Sequence, residues 1–331
     1  MNRLKLKITL LVFSLFSTGF LFAQEPADGL RFSYLTQNGG TARTQAIGGA
    51  GASLGGEFSS LFINPAGLGF YKTGDFVITP NYSMNNNKVT YLNNPENSTK
   101  NNFSLGATGL VFAVPSSSKS VSNISVGIGI NKVADFNNLI YYKGKNTQSS
   151  YSEKYLEELI RDNVTDPNNA AKNYPYGSSL AINTYLIDPT YDGGGHVNGY
   201  KTAANPNTGL NQENTINTRG GITDISIGAA ANIQDKWYFG GSLSVPYLSY
   251  KRDATYRESD ASGNTNNGFN FFETKESLQT TGIGIGAKFG AIFKPVKYFR
   301  IGAAIHTPTF YQLTDNYVIS MATDLEGSGG I

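Results

Sequence analysis

The chain has 331 residues with 26 basic and 24 acidic side chains, and the basic residues form no cluster. This near-neutral charge gives no case for binding nucleic acid. The chain has no cysteine, so an exported form cannot depend on disulfide bonds for its stability. No apolar run of 18 residues follows the first 23 residues, which excludes a bundle of membrane-spanning helices.

Residues 1–23 have the pattern of a signal peptide. Three basic residues precede an apolar stretch over residues 8–22, and Ala23 is the expected cleavage point. The stretch is short for a spanning helix, although a retained anchor is the alternative. Removing three of the 26 basic residues leaves 23 against 24 acidic ones, a net charge of −1.

Residues 38–58 are rich in glycine, including Gly48, Gly49, Gly51 and Gly55. The last three fit a dinucleotide-binding loop loosely, but no strand precedes them and no parallel βαβ unit follows. The other interpretation is a compact backbone that packs closely against another part of the chain. The next residues, SSLFINPAGLGF, form an apolar run that Pro65 interrupts, which disfavours both a long helix and a central strand.

Strict alternation of apolar with small or polar residues predicts β-strands through the rest of the chain. In NISVGIGIN, for example, isoleucine and valine share one face, whereas serine, glycine and asparagine share the other. Strands are predicted near residues 74–84, 102–114, 121–137, 219–233, 236–252, 269–293 and 297–313.

The composition of the two faces favours a membrane protein over a water-exposed sheet. The polar faces carry glycine and serine but few charges, and the apolar faces extend over 9–11 residues, the length of a tilted membrane strand. Trp237, Tyr238 and Phe239 begin one strand, and Tyr247 and Tyr250 lie near its other end. Such positions suit the aromatic girdles of outer-membrane barrels. The core aromatics of a soluble sandwich remain the alternative.

The predicted connections alternate between long and short, as in barrels with short periplasmic turns and long outer loops. Residues 115–120, 234–235 and 294–296 are the short ones. The long ones are residues 85–101, 138–218 and 253–268. This order places the start of the N-terminal region on the periplasmic side.

The longest connection, residues 138–218, has helical patterns of its own. YSEKYLEELIRD (151–162) predicts an amphipathic helix with Ser152 as a possible N-cap, and residues 174–188 predict a second helix. An extracellular loop this long favours either a folded cap or part of a ligand entrance.

The N-terminal pattern resembles a known family. GGAGASL, followed shortly by LFINPAGLGF and then by the first strand, is similar to the N-terminus of FadL-type outer-membrane transporters of long-chain fatty acids and other hydrophobic compounds. IGAAIHTP (301–308) also looks like a strand of members from Bacteroidetes-like bacteria. The resemblance implies an all-β fold: a fourteen-stranded antiparallel transmembrane barrel that contains an N-terminal plug. Asn64, Pro65 and Ala66 match the Asn-Pro-Ala motif of that plug.

The expected organisation is a signal peptide (1–23), a plug (24–73) and a barrel (74–331) with the long helical loop 138–218. The seven predicted strands amount to about half of a fourteen-stranded barrel. We therefore expect the remaining strands to be missing from this chain, because a membrane barrel must close to leave no edge in lipid.

The resemblance implies uptake of a hydrophobic small molecule across the outer membrane of a Gram-negative bacterium. Ligand capture at the outer loops and movement of the plug would be the steps. The expected partners are the hydrophobic ligand and membrane lipid, with a possible protein partner at the extracellular loop. The alternative function is a secretion or surface-interaction role without transport.

An enzyme is not expected. The chain has two histidines, His196 and His306, and neither belongs to a recognisable triad or metal-ligand pattern, so no cofactor or metal is predicted. His306, Lys288 and Arg300 lie on polar faces of predicted strands and are candidates for lining the lumen. Salt bridges, including pairs with plug acids such as Glu57, are the structural alternative for the two cations.

Overall fold

The computed structural model describes residues 39–118 and 120–326, which belong to one compact unit. The predicted signal peptide and residues 24–38 lie outside the described residues. In the described part of the chain, no helix is long and apolar enough to cross a membrane.

Antiparallel β-structure dominates the described residues, as the alternating pattern predicts. The thirteen strands are β1 (Asp75–Val77), β2 (Pro80–Tyr91), β3 (Asn94–Leu105), β4 (Thr108–Pro115), β5 (Val121–Asp135), β6 (Asn138–Asn146), β7 (Ile187–Tyr191), β8 (Val197–Thr202), β9 (Leu210–Ile233), β10 (Trp237–Asp260), β11 (Phe271–Val296), β12 (Phe299–His306) and β13 (Phe310–Asp324).

The main sheet has the order β1-β4-β5-β9-β10-β11-β12, with β6 also paired to β9 and β13 also paired to β11. Strands β2 and β3 pair with each other in a separate two-stranded sheet, and so do β7 and β8. The path of the main sheet begins at β1 and ends at β12, so the described sheet is open. Short breaks divide several of the predicted strands: the strand predicted over 102–114 appears as the end of β3 followed by β4, and the one predicted over 297–313 as β12 followed by the start of β13.

Two predicted long loops are wrong, because much of their length is strand. Residues 85–101 form most of the β2–β3 hairpin, which turns at Leu92 and Asn93 with positive φ angles of 48° and 64°. Residues 253–268 begin with the last part of β10. Asparagine-rich sequence is typical of loops. Here the backbone ladder continues through it, because strand pairing does not require apolar side chains.

The long connection is also shorter than predicted, since β6 and the first part of β9 lie within residues 138–218 and pair with each other. What remains is an excursion over residues 147–209. It contains the helices α3 (Glu153–Arg161), α4 (Pro167–Asn173) and α5 (Ser178–Asn183), the β7–β8 hairpin and a 3₁₀ turn. The helices α1 (Ala42–Ala46) and α2 (Ser60–Ile63) precede the first strand.

The helix predicted over 151–162 is confirmed as α3, and α5 lies within the second predicted helical region. The pattern missed α4, which is polar and short. Its start is nevertheless encoded, because Asp166 accepts a hydrogen bond from the Asn168 amide at 2.9 Å and Pro167 occupies the first turn.

An apolar core joins the excursion to the C-terminal end of β10 and the N-terminal end of β11. Tyr155 and Leu159 of α3 are buried together with Tyr256 and Phe272 of the sheet. Glu258, which is fully buried, adds polar contacts across the same junction. Its carboxylate accepts hydrogen bonds from the Tyr151 amide at 3.1 Å and from the Gln212 side chain at 2.8 Å. The excursion is therefore a folded cap on the sheet.

Leu159→Ala is expected to loosen the cap by about 2–5 kcal/mol, because Leu159 is fully buried and its loss leaves a cavity. The neighbouring Ile160 is 64% exposed, so Ile160→Ala is a matched control with little expected effect. Hydrogen exchange of the α3 amides measures the difference. Equal exchange in the two variants would contradict this account of the core.

Candidate functional site

The central strands of the sheet have two chemically different faces. One face, the apolar face, exposes large side chains of β5, β9, β10 and β11. They are Ile124, Val126, Ile128, Ile225, Ile227, Trp237, Phe239, Leu243, Val245, Tyr247, Ile283, Ile285 and Phe289. The opposite face, the covered face, has small or polar residues at the alternate positions. Ser125, Ser226, Ser242 and Ser244 are buried there.

The predicted aromatic positions divide between the two faces by their parity. Trp237, Phe239 and Tyr247 belong to the apolar face and are about half exposed. Tyr238 and Tyr250 are buried on the covered face, where the Tyr238 ring stacks on Phe70 with centroids 3.8 Å apart. These two tyrosines are therefore core aromatics, and the girdle interpretation is wrong for them.

The N-terminal segment, residues 39–73, lies against the covered face. It contains α1 (Ala42–Ala46), α2 (Ser60–Ile63) and a 3₁₀ helix at Pro65–Phe70. Asn64 joins the last two in an extended conformation, as expected for a residue before proline. Pro65 then starts the 3₁₀ helix, where its missing amide hydrogen costs nothing. The apolar run interrupted by Pro65 is thus two short helices with a sharp bend between them.

Asn64 connects this bend to the sheet. It is fully buried, and its Oδ1 accepts a hydrogen bond from the Ala66 amide at 3.1 Å. Its Nδ2 donates to the Ala52 carbonyl at 2.6 Å and lies 3.3 Å from the Ala303 carbonyl of β12 and 3.5 Å from the Ala291 carbonyl of β11. One side chain therefore holds the bend, the preceding chain and two strands together.

Glycines of the sheet allow the close approach. A Cβ atom added to Gly240 of β10 would lie 2.5 Å from the Pro65 carbonyl and 2.6 Å from the Ala66 nitrogen. A Cβ atom on Gly290 of β11 would collide with Oδ1 of Asn64. Large side chains at these two positions would push the Asn-Pro-Ala bend off the sheet.

The four glycines singled out in the segment serve turns more than close packing. Gly48, Gly49 and Gly55 have φ angles of 64°, 79° and 60°, which favour glycine, and a Cβ atom on Gly48 would meet nothing within 4 Å. Gly55 also lies against the Phe70 ring, and Gly51 packs near Ile63. Close packing therefore explains Gly51 and Gly55 but not Gly48.

Lys288, Arg300 and His306 all lie on the covered face. Nζ of Lys288 is 2.8 Å from the Asp224 carboxylate of β9, and Nε2 of His306 is 2.8 Å from the Ile63 carbonyl. The Arg300 guanidinium donates to the Leu54 carbonyl and lies over the Phe70 ring.

The suggested pairing of these cations with Glu57 is wrong. The Glu57 carboxylate accepts hydrogen bonds from the Thr44 hydroxyl at 2.8 Å and the Ser59 amide at 2.9 Å, and also from Thr41. It is therefore used within its own segment, just before α2. The partner of Lys288 is Asp224, whose position on the small-residue face of DISIGAAANI was readable from parity.

Most of the polar contacts to the segment run from sheet side chains to segment carbonyls. Ser242 donates to Leu61 O at 3.0 Å, and the Asn123 amide donates to Gly69 O at 3.2 Å and to Tyr71 O at 2.7 Å. Arg300 and His306 contact carbonyls in the same way. The sheet therefore recognises the segment largely through its backbone.

A cleft of about 270 Å³ lies between the segment and the sheet. Phe62, Ile63 and Val133 give it apolar walls, and Asn131, Asp224, Lys288 and His306 supply polar groups. Asn131 also accepts a hydrogen bond from the Gly40 amide at 2.8 Å. This chemistry suits a small molecule with an apolar body and a polar end. Among the described residues, no group of three or more acidic or histidine side chains is arranged to hold a metal ion.

The main sheet divides beyond Asp135. Strand β4 pairs with β5, but β3, which precedes β4, and β6, which follows β5, belong to different sheets. Side chains bridge the division: the Ser98 hydroxyl donates to Leu139 O at 2.7 Å, and the Asn87 amide donates to Asn138 Oδ1 at 2.6 Å. This part of the wall is thus closed by side-chain contacts in place of a backbone ladder.

In the cap, Lys154 has an unusual environment. Its Nζ lies 3.8 Å from the centroid of the Tyr151 ring and 4.8 Å from that of Tyr155, and burial lowers the pKa of Lys154. Burial also raises the pKa of the Tyr155 phenol. The other histidine, His196, is exposed in the β7–β8 turn beside Asp192, and its backbone amide is the main cause that lowers the pKa of Asp192.

Comparison with known proteins gives little. No known family and no curated protein matches the chain. A solved structure titled "CymD monoaromatic hydrocarbon channel" aligns with 86% of this chain and 96% of its own, at 10% identity and a TM-score of 0.17. A likeness at this level carries no argument about fold or function.

Gly240→Ala is expected to destabilise the contact between the segment and the sheet by about 1–3 kcal/mol, because the new methyl group meets backbone atoms of the bend. Gly241→Ala is the matched control: its Cβ would point to the other face, where the nearest atom is 3.4 Å away on Phe289. Limited proteolysis of residues 39–73 reads out the difference. If both variants are cut like the unmodified protein, the close approach at Gly240 is unimportant.

Proposed function

We propose that this protein is an outer-membrane β-barrel that passes hydrophobic small molecules across the membrane. The described sheet would be about half of a fourteen-stranded wall, and the N-terminal segment would be a plug inside it. The observation that carries the proposal is the pairing of faces: large apolar side chains exposed on one side, and the segment packed on the small-residue side.

The length of the apolar face supports a position in the membrane. On β10, the apolar face runs from Trp237 to Tyr247, about 34 Å along the strand at ~3.4 Å per residue. A tilt of ~40° reduces this to roughly 26 Å, close to the ~25 Å apolar band of outer-membrane barrels. An apolar face of this extent needs lipid or another apolar surface to cover it.

The contacts of the segment support a plug that can move. A large barrel encloses a lumen, which is either an open aqueous channel or is occupied by a plug. The segment would block it while bound largely by hydrogen bonds to its carbonyls, contacts that water can replace during a rearrangement. The cleft beside Lys288 and His306 would then be a binding position along the path.

The resemblance to FadL-type transporters supports a hydrophobic substrate, and the mixed lining of the cleft is compatible with binding the polar end of such a molecule. An apolar molecule with one polar end, such as a long-chain fatty acid, matches both. The cap, which covers the outer end of the wall with tyrosine-rich surfaces, is the region where such a molecule would first bind.

The direct test is uptake. Cells that lack the gene, and the same cells carrying the full-length gene, are given radiolabelled oleate and, separately, a labelled hydrophilic sugar. We expect faster oleate uptake in the complemented cells, with sugar uptake unchanged. Equal oleate rates would contradict transport of this substrate class. Full-length protein that stays monomeric and folded without detergent would contradict the membrane barrel itself.

Asn64→Asp is expected to weaken the plug, because a carboxylate replaces the amide that donates to backbone carbonyls and leaves repulsion at a buried position. The free energy that holds the plug against the sheet should fall by about 1–3 kcal/mol. The plug should then leave the lumen more often, which is measured as more frequent conductance openings in planar lipid bilayers. Asn266→Asp, which makes the same change in an exposed turn, is the control. If the unmodified protein, Asn64→Asp and Asn266→Asp show the same conductance, the hydrogen bonds of Asn64 do not hold the plug in place.

A further inference from the structure

The outward face of the sheet changes from apolar to charged beyond the end of the apolar band. On β10 the side chains that follow Tyr247 on the same face are Ser249, Lys251 and Asp253, since alternate residues of a strand share a face. Lys251 lies four residues beyond Tyr247, about 13 Å along the strand and roughly 10 Å in height at a ~40° tilt.

Cations collect at this level. Lys251 lies directly opposite Arg219 of β9 in the strand register, a like-charge pair that is unfavourable without counter-ions. Between them, the Asp253 carboxylate is 2.8 Å from the Arg219 guanidinium and 3.5 Å from Nζ of Lys251. A third cation, Lys100 of β3, donates to the side chain of Asn217, the residue opposite Asp253.

We call Arg219, Lys251 and Asp253 the cationic patch. It has two positive charges and one negative charge. The nearby Lys132 and Asp135 pair with each other at 3.2 Å and so cancel. The excess of one positive charge stands on the same outward face as the isoleucines and leucines below it.

We propose that the cationic patch binds the phosphate groups of a phosphorylated glycolipid in the outer leaflet, whose acyl chains lie along the apolar face of β9, β10 and β11. This inference rests on the proposed membrane barrel. Asp253 gives the Arg219–Lys251 pair one negative charge, and a phosphate supplies the second. The long side chains reach down from ~10 Å to the headgroup layer while their stems cover the strands.

One lipid molecule can contact both the cationic patch and the apolar face, because the two surfaces are continuous. The apolar side chains of Val245, Tyr247 and Ile283 lie directly below the patch on neighbouring strands. A free phosphate would use the cations alone, whereas a lipid would use the cations and the apolar face together. The charge pattern and the apolar pattern therefore favour the lipid.

The test titrates the full-length protein, purified in detergent, with bis-phosphorylated lipid A, and measures affinity by microscale thermophoresis. In the double variant Arg219→Gln, Lys251→Gln we expect affinity to fall roughly 30-fold, about fivefold for each cation near a negatively charged lipid surface. The control variant Lys172→Gln, Lys201→Gln makes the same charge change on exposed parts of the cap and should bind like the unmodified protein.

Further measurements separate the lipid site from simpler explanations. Without lipid A, the melting temperature of the double variant should stay close to that of the unmodified protein, because the exposed ion pairs with Asp253 contribute little to stability. A clearly lower value would show that the two cations serve the fold and would overturn the proposal. Equal binding of dephosphorylated lipid A, or full displacement by equimolar inorganic phosphate, would overturn the proposal. If the double variant binds lipid A as tightly as the unmodified protein, the lipid site is contradicted. If the protein also still requires detergent, the proposed membrane barrel is not affected by that result.

Discussion

The alternation of side chains along a β-strand is the constraint on which this structure depends. Each long strand has one set of alternate residues on the apolar face and the other set on the covered face. The residue types suited to its odd and even positions therefore differ. On β10 the odd positions from Trp237 to Tyr247 face outward, and the even positions Gly240, Ser242 and Ser244 lie under the N-terminal segment. A slip of one residue in register would exchange the two environments at every position.

The small side chains of the covered face set what can lie against them. Because Gly240 and Gly290 present no side chain, the Asn-Pro-Ala bend can place its backbone directly on β10 and the Asn64 side chain directly on β11. Asn64 is suited to this position since its amide both donates and accepts. The tight contact thus comes from glycines on the sheet together with an asparagine on the segment, and neither side achieves it alone.

The sequence predicts the strands and their faces well, because the period-2 pattern survives wherever one face is apolar. The pattern ends where the strands pass beyond the apolar band, and there it misleads: Asn85 and Asn87 read as loop but belong to β2. Long-range partners are also beyond the pattern. Lys288 and Arg300 could be placed on the polar face, but nothing local indicates that Lys288 pairs with Asp224, 64 residues earlier in the chain. The sequence likewise locates the Asn-Pro-Ala motif, but it does not reveal which carbonyls the side-chain amide of Asn64 contacts.

The manner in which the sheet holds the N-terminal segment has a consequence for how the sequence can change. Four side chains of the sheet form hydrogen bonds to backbone carbonyls of the segment: those of Ser242, Asn123, Arg300 and His306. Every residue type provides such a carbonyl. Substitutions in the segment are therefore tolerated wherever its backbone keeps the same path. Substitutions of the sheet residues that form these hydrogen bonds are not tolerated, because the hydrogen bonds are then lost. Outside the Asn-Pro-Ala bend, whose Asn64 side chain is itself a hydrogen-bonding group, we therefore expect the segment to vary more among relatives than the sheet residues that hold it.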